Sequence, residues 1–592
     1  MHKNWMLIVK LSSIVLGLGA ASASHAAMAR GPCEQITAAC RDAGFVRGGA
    51  KAGNGLQVDC INPIMQGTTQ THRNSNPLPQ VNPQVVAACK ARNPGFGQRN
   101  ASPSESDALP SPASPLQPPA TVQSAPSQAL STPNRRPNIV FILTDDLAWD
   151  LVQYMPRVLK MQKDGVTFAN AFVTDSLCCP SRASIFTGRY PHDTGIFRNV
   201  GNNGGYLTFL KRGHERATFA ISLSAAGYRT ALLGKYLNGY IPASHPPPPG
   251  WTSWAVAGAA YREFRYSLNQ DGKIVHHGNK PTDYLTDVVS GLGVGFIKQA
   301  AGAPFFLEVA TFAPHSPYTP APRDADAFPG LRAPRTPAFD VAPDANAPKW
   351  LLAHRALSDA DMARIDNDFR KRTQSVLSID AMIGELQAAV AAIGEEKNTY
   401  FMFSSDNGYH MGEHRLMPGK MTAFDTDVHV PLIVTGPGVP AGVTIEEIVE
   451  NIDLYSTFTE LGGAVASGSI DGRSLVPLLH GQKVADWRTV ALVEHRGPNK
   501  DPSDPDLPAA RSGNPTTYDA IRALASLYVE YADGEKEYHD LVADPNELHN
   551  SFSSLSSEEK TALHATLEAV KNCHDAKSCR AAEQPARTMA RK

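Results

Sequence analysis

The sequence carries almost no excess of either charge: 55 Lys and Arg stand against 57 Asp and Glu, a net charge of −2. That argues against a protein that holds nucleic acid through a large positive field, although local basic patches stay open. Cysteines are few, eight in 592 residues, far below the density of a disulfide scaffold. Past the N-terminus no run of 18 uninterrupted apolar residues occurs, which predicts a soluble mature chain with no stable membrane insertion. No repeat of fixed period is visible either. What remains is an ordinary globular composition, 42% hydrophobic and 19% charged, in a chain longer than the roughly 100 to 200 residues of one domain.

Composition shifts divide the chain. Residues 1–26 combine His2, Lys3 and Lys10 with the apolar stretch Leu11–Ala20 and the small residues Ala21-Ser22-Ala23 and Ser24-His25-Ala26, the pattern of a signal peptide for export to the periplasm or beyond the cell. Residues 27–98 form a small module with Cys33, Cys40, Cys60 and Cys89. An oxidising compartment favours two disulfides there, with all three connectivities open. Spacings of 6, 19 and 28 residues contain no CxxC zinc knuckle. Residues 99–135 read as a linker: Ala101–Arg135 holds 8 Pro and 8 Ser and no aromatic residue. Cys573 and Cys579 are close enough in sequence to close a short loop.

From Arg136 the texture becomes that of an α/β protein. Ile139–Leu143 runs into Thr144-Asp145-Asp146, Thr230–Leu233 into Gly234-Lys235, Phe305–Val309 toward Pro314-His315, and Tyr400–Phe403 toward Asp406-Asn407. Each apolar run predicts a buried strand that ends in polar chemistry. Val376, Ile379, Ile383, Leu386, Val390 and Ile393 recur at spacings of three and four, one apolar face of a long helix. This alternation predicts a large, mostly parallel sheet with its ligands beyond the carboxyl ends of the strands. We place this core at residues 136–438 and an antiparallel-sheet subdomain with a helical tail at 439–592. The signs of the latter are strands at Val490–Val493 and Leu527–Tyr531, a turn at Asp533-Gly534, and helical character over 555–572.

The stretch Cys178-Cys179-Pro180-Ser181-Arg182 fits CxPSR and is followed by Thr187-Gly188-Arg189. Four fixed residues arise by chance in a chain of this length with a probability of about 0.004. In order along the chain stand Asp145-Asp146, CxPSR, Gly234-Lys235-Tyr236-Leu237-Asn238-Gly239-Tyr240, Ala313-Pro314-His315-Ser316-Pro317, Ser405-Asp406-Asn407-Gly408 and Gly412-Glu413-His414 with Lys420. This ensemble resembles the formylglycine-dependent sulfatases, and GKYLNGY, CCPSRAS and APHSP look most like the N-acetylglucosamine-6-sulfatase-like branch. The resemblance implies an alkaline-phosphatase-like sandwich. It also implies that Cys178 is oxidised to formylglycine by a formylglycine-generating enzyme, and that a sulfate ester, small or glycan, is the substrate.

The residue types suit that chemistry. A sulfate monoester needs a strong nucleophile, neutralised sulfuryl oxygens and a protonated leaving alcohol. Asp145, Asp146, Asp406 and the carbonyl oxygen of Asn407, joined by position 178, form an oxygen-rich metal set that suits Ca²⁺ before Mg²⁺ and not zinc. By resemblance the hydrated aldehyde at 178 is the nucleophile, Arg182 stabilises it, and Lys235, His315 and Lys420 bind the substrate sulfate. His315 is the expected acid for the leaving oxygen and Asp406 an acceptor for the nucleophile's proton. Pro180 fits the first turn of a helix, which puts 178 at an anion-favouring N-terminus. Cys179 reads as a packed thiol without a catalytic role.

One position departs from the family: where many sulfatases carry a histidine two residues after the catalytic lysine, Leu237 stands here. His192, Asn238, His410 and His414 are the alternative candidates for the base that releases sulfate. Two other functions compete with an exported sulfatase of sulfated sugars or aryl sulfates. One is a phosphomonoester, phosphodiester or phosphonate ester hydrolase on the same scaffold; the other is a secreted glycan- or cell-wall-binding protein without catalysis. Specificity is expected from the loops Ser244–Trp251 and Pro320–Trp350.

Overall fold

A computed structural model describes residues 32–45, 56–66, 77–79, 81, 85–86, 89–90 and 136–584. The expected signal peptide and the expected linker, residues 99–135, lie outside the described residues. Two compact units divide the chain, residues 1–127 and 128–592.

In the first unit the helix Pro32–Asp42 and the turn Leu56–Ile61 are stapled by Cys33–Cys89 and Cys40–Cys60. Ile36, Phe45, Leu56, Ile61 and Met65 pack around these bridges. So small an apolar cluster gains its stability from the loops that the disulfides close. All four cysteines are spent in sulfur–sulfur bonds, as the spacing led us to expect.

The second unit is built on ten strands: β1 Asn138–Thr144, β2 Val166–Phe172, β3 Arg229–Lys235, β4 Ser253–Ala257, β5 Ser267–Gln270, β6 Lys273–His276, β7 Phe305–Ala310, β8 Thr399–Ser405, β9 Leu432–Thr435 and β10 Val443–Glu450. Their order in the sheet is β10-β2-β9-β8-β1-β7-β3-β4-β5-β6. The central neighbours β8, β1, β7 and β3 are all parallel, so their four carboxyl ends open on the same side of the molecule. β1 and β8 are buried at every position, which is why their sequences read as continuous apolar runs rather than alternating ones.

Helices cover both faces. Val140 and Ile142 face one core layer with the helices Leu285–Ala300 and Asp359–Ala392. Ile139, Phe141 and Leu143 face the other, with Cys178–Thr187 and Asp453–Leu461. The long helix Asp359–Ala392 buries Val376, Ile379, Ile383, Leu386 and Val390, and Ser358 caps it by accepting from Asp361 N–H.

A second, antiparallel sheet follows: β11 Val490–His495, β12 Tyr518–Ala523, β13 Ser526–Tyr531 and β14 Lys536–Asp540. One of its faces packs on Phe172, Val173 and Ile448 of the large sheet. The other packs on Leu563, Leu567 and Val570 of the helix Ser557–Val570, beside the Cys573–Cys579 bridge. The change of architecture therefore comes later than residue 438. β10 still belongs to the large sheet, parallel to β2. Its Thr444, Glu446 and Glu447 interrupt the apolar pattern because it is an edge strand, where charge protects the open side.

Candidate active site

The four strand ends converge as their sequences predict. Asp145 and Asp146 follow β1 directly, Lys235 is the last residue of β3, Asp406 and Asn407 follow β8, and His315 lies in the turn after β7 between two cis X–Pro bonds. Gly234 precedes Lys235 with φ +103°, and a Cβ there would meet the Ala310 carbonyl oxygen at 2.0 Å; only glycine lets β3 deliver the lysine so close to β7. Asp146 itself holds φ +63°, a left-handed conformation that Asp tolerates better than most residues.

The helix Cys178–Thr187 points its N-terminus into this convergence. Cys178 is its first residue, Pro180 lies in the first turn, and Gly188 ends it in the left-handed conformation, donating to Ser184. Every side chain of the helix is buried. The Cys178 thiol donates to Asp145 Oδ1 at 3.1 Å and receives Lys420 Nζ at 2.9 Å. Lys420 also reaches Asp146 Oδ1 at 2.7 Å, and Lys235 Nζ lies 2.5 Å from Asp145 Oδ2. Arg182 donates from Nε to Asp406 Oδ2 at 2.7 Å and from Nη1 to the Lys235 carbonyl at 3.2 Å, while its buried Nη2 has no hydrogen-bond partner.

Charge sets the protonation states. Burial pushes the Cys178 thiol well above its usual range, and Asp145 and Asp506 push it further. Burial alone would lower Lys235 and Lys420, but Asp145 beside the first and Asp146 beside the second more than offset it, so both ammonium groups are held well above normal. His315 is raised: burial opposes its charge, and Asp146 and Asp506 overcome that. Its Nε2 lies 2.5 Å from Asp506 Oδ1 and 3.6 Å from Asp146 Oδ2, and its Nδ1 faces the Ser316 carbonyl at 2.7 Å.

Ligand-capable atoms of Asp145, Asp146, Cys178 and His315 all lie within 4.8 Å of one another. Asn407 donates from Nδ2 to Asp146 Oδ1 at 2.7 Å, yet its Oδ1 is buried without a donor. A buried carbonyl oxygen with no partner, on a residue that bonds Asp146 and follows Asp406, adds to a donor set that suits a hard cation. Asp145, Asp146, Asp406 and Asn407 could hold such an ion.

Of the alternative candidates, none but Asn238 approaches this centre. His192 is fixed between Glu494 at 2.8 Å and the Cys573 carbonyl at 2.7 Å; His410 between Asp427 at 2.9 Å and the Ser512 carbonyl at 3.0 Å. His414 stacks on Phe424 at 4.1 Å, and burial holds it neutral with a pKa near 3. Asn238 donates to Tyr261, whose ring faces Lys235 Nζ at 5.1 Å. Cys179 is packed in the core, and burial raises its pKa to about 12.

Two residues escaped the sequence reading. Arg372, on the long helix, donates to the Asp146 carbonyl at 2.5 Å and the Pro314 carbonyl at 3.3 Å, tying the β1 and β7 ends together. Its signal was present, since it lies three residues after Phe369 and four before Val376 on the apolar face. Asp506, in the loop 496–517, carried no such signal. Neither Ser244–Trp251 nor Pro320–Trp350 lines the cavity beside the centre; Tyr318, Tyr409, Lys420, Asp506, Leu507 and Ser512 do, among others.

Comparison with known proteins decides the family. The sulfatase family model matches residues 137–464, and the model of the N-sulphoglucosamine sulphohydrolase C-terminal region matches 412–573. The chain belongs to the sulfatase family. It is a sulfuric ester hydrolase. This sulfatase is 35% identical over 473 residues to the N-acetylglucosamine-6-sulfatase of Homo sapiens, covering 74% of this chain and 85% of the human one. It is also 35% identical over 375 residues to the extracellular sulfatase SULF-1 homolog of Drosophila melanogaster, covering 61% of this chain and 33% of that protein. Among solved structures, one determined with its substrate D-glucosamine-2-N,6-O-disulfate superposes with a TM-score of 0.63 at 22% identity, over 76% of this chain and 99% of that one. The phosphonate monoester hydrolase of Agrobacterium radiobacter superposes with a TM-score of 0.58 at 21% identity, over 76% and 96%. The sulfatase shares the alkaline-phosphatase-like fold of these neighbours.

Proposed function

We propose that the protein is an exported sulfatase of sulfated sugars, of the N-acetylglucosamine 6-sulfate type or an aryl sulfate, that uses formylglycine at position 178 and a divalent cation. The observation that carries this reading is the placement of Cys178 at a buried helix N-terminus, with Lys420 at 2.9 Å and Asp145 at 3.1 Å. Such a position concentrates positive potential on whatever anion meets residue 178. The Cys178 sulfur stands where, after conversion, an oxygen of the hydrated aldehyde would be, and that hydrate would supply the nucleophilic hydroxyl. A divalent cation held by Asp145, Asp146, Asp406 and Asn407, with Ca²⁺ the best fit to that donor set, would supply positive charge to the sulfuryl oxygens.

The side chains do the rest. Lys235 and Lys420 bind sulfuryl oxygens and neutralise the charge that gathers on them in the transition state. His315, held protonated by its acidic neighbours, gives its Nε2 proton to the leaving oxygen. Arg182 stabilises position 178 and orients Asp406, whose carboxylate accepts the nucleophile's proton. Arg372 fixes the Asp146 and Pro314 backbones, and thereby the aspartate and histidine turns.

Three disulfides support an oxidising compartment, and with it export to the periplasm or the cell exterior. The relative named an N-acetylglucosamine-6-sulfatase supports a sulfated amino sugar as substrate. Maturation by a formylglycine-generating enzyme follows from the same reading. Peptide mass analysis across Leu177–Arg182 tests it: the expected product is the aldehyde or its hydrate, and active protein with an intact thiol refutes it. The phosphonate monoester hydrolase neighbour motivates a second reading on the same clamp. Parallel rates on aryl sulfate and aryl phosphonate separate the two, with sulfate turned over faster if the first is right.

A further inference from the structure

The anion seat of this site is already taken, by the protein itself. Asp506 reaches from the loop 496–517, between β11 and β12, and its carboxylate is buried with 4% of the side chain exposed. Oδ1 lies 2.5 Å from His315 Nε2 and 3.2 Å from Lys420 Nζ; Oδ2 lies 3.6 Å from Cys178 Sγ and receives Asn199 Nδ2 at 2.6 Å. A carboxylate in this place has the charge of a sulfate ester and engages two of the groups assigned to its oxygens. Both anions cannot bind His315 and Lys420 at once.

Space leads to the same point. The cavity beside Asp506 measures about 120 Å³, against roughly 300 to 1,000 Å³ for sites that enclose a small molecule. One of its walls is the same loop: Pro505, Asp506, Leu507, Pro508, Ala509 and Ser512.

The loop is pinned at its ends. The Asn514 side chain accepts from the Asn499 N–H at 2.7 Å and donates to the Asn499 carbonyl at 2.8 Å, and the Ser512 carbonyl faces His410 at 3.0 Å. Its middle is held by Asn499 and Asn199 on Asp504, by Asn199 on Asp506, and by the catalytic cations. Asn199 also accepts from the Cys179 N–H at 2.9 Å, so the strap is registered directly against the nucleophile helix. Withdrawing Asp506 breaks side-chain bonds and leaves the pinned ends in place.

We propose that Asp506 is a specificity-determining residue: an internal anion that competes with sulfate for His315 and Lys420, so that only esters whose alcohol half contributes binding of its own displace it. This deepens the sulfatase reading and rests on its assignment of His315 and Lys420 to the sulfate. Free sulfate and small aryl sulfates then bind weakly, while a larger sugar ester offsets the cost of opening the loop.

The test uses the full-length, Ca²⁺-loaded protein and inorganic sulfate as probe, by calorimetry, with or without conversion of Cys178. Asp506→Asn and Asp506→Ala are expected to bind sulfate about tenfold tighter or more, since a like charge is removed from the seat. In wild-type protein, saturating sulfate is expected to speed amide hydrogen exchange over residues 500–509, a readout that needs no variant to fold. Among substrates, Asp506→Asn is expected to narrow the kcat/KM advantage of a sugar sulfate over a small aryl sulfate. Sulfate affinity unchanged or weaker in both variants, or loop exchange unaltered by sulfate, overturns the proposal. Adding Lys420→Ala to Asp506→Asn separates the two levels: if sulfate binding survives that substitution undiminished, the assignment of Lys420 itself has failed.

Discussion

The molecule buries two dense clusters of charge, and they are built on opposite plans. One surrounds Arg488, which is fully buried and pairs with Asp453, with Glu450 at 3.3 Å and with Glu583 at 3.4 Å. Its carboxylates are also met by rigid donors: Asp453 accepts from the backbone N–H of Arg473 and of Glu450, and Glu450 from that of Leu492. The other cluster surrounds Cys178, where carboxylates meet the ends of two lysines, an arginine and a histidine, and where Asn407 Oδ1 and Arg182 Nη2 lack partners. Backbone donors fix the carboxylates of the structural hub in place, even though Arg488 Nε at its centre also lacks a hydrogen-bond partner. Flexible ammonium groups and unspent polar atoms suit a place where charge arrives and departs, since a buried polar group left unmatched is costly unless something else satisfies it.

Substitutions should separate the two plans. The largest effect is expected at the second cluster: Cys178→Ala should lower kcat/KM on an aryl sulfate by about 100-fold or more, with a melting temperature close to wild type. Arg488→Leu should do the reverse. It strands two or three buried carboxylates and should lower stability by about 3–5 kcal/mol in denaturant titration, with kcat of the folded fraction preserved. If Arg488→Leu instead abolished turnover in folded protein, the division between the clusters would be wrong. Chelation of divalent ions should silence turnover and be reversed by Ca²⁺, while the Arg488 hub, which needs no metal, keeps the fold.

A third charge pair, largely buried and outside both clusters, adds a pH effect on stability. His192 has a pKa near 9: burial opposes its charge, but Glu494 and the Cys573 carbonyl more than compensate. A histidine raised in the folded state stabilises fully below its unfolded value of about 6.5 and loses that contribution as pH rises through about 9. Melting temperature should therefore fall across that window, and the slope should flatten in His192→Gln. The smallest effect is expected from deleting residues 30–135: turnover of a soluble ester should stay within about twofold, as for a module on a flexible tether, and loss of turnover would tie the module to catalysis.

How much of this was legible in the sequence follows from the same physics. Strands buried on both faces must be apolar throughout, so β1, β3, β7 and β8 announced themselves, and the polar residues at their ends marked the centre. β10 and β12 did not, because an edge strand and a strand carrying Asp519 and Arg522 need no continuous apolar run. Asp145, Asp146, Lys235, His315, Asp406 and Asn407 stand next to such signals, Lys420 was legible only through the family resemblance, and the structure brings them together near Cys178. Asp506 stands among Pro and Asp in a loop, where local pattern says only that the chain turns; its importance comes from a partner 191 residues away in sequence. The three cysteine pairs were foreseeable in kind. Their connectivity in the first module depended on which helix faces which turn, and spacing does not encode that.

The complete burial of Cys178 carries a last consequence, one of timing. A maturase of the kind proposed above would need this thiol accessible, and in the finished fold it is fully buried. On that proposal conversion and folding would be in a race, and chains that close first would be trapped as intact but unarmed copies. Preparations of identical mass and melting behaviour to within one side chain would then differ in specific activity according to how long each chain stayed open during synthesis.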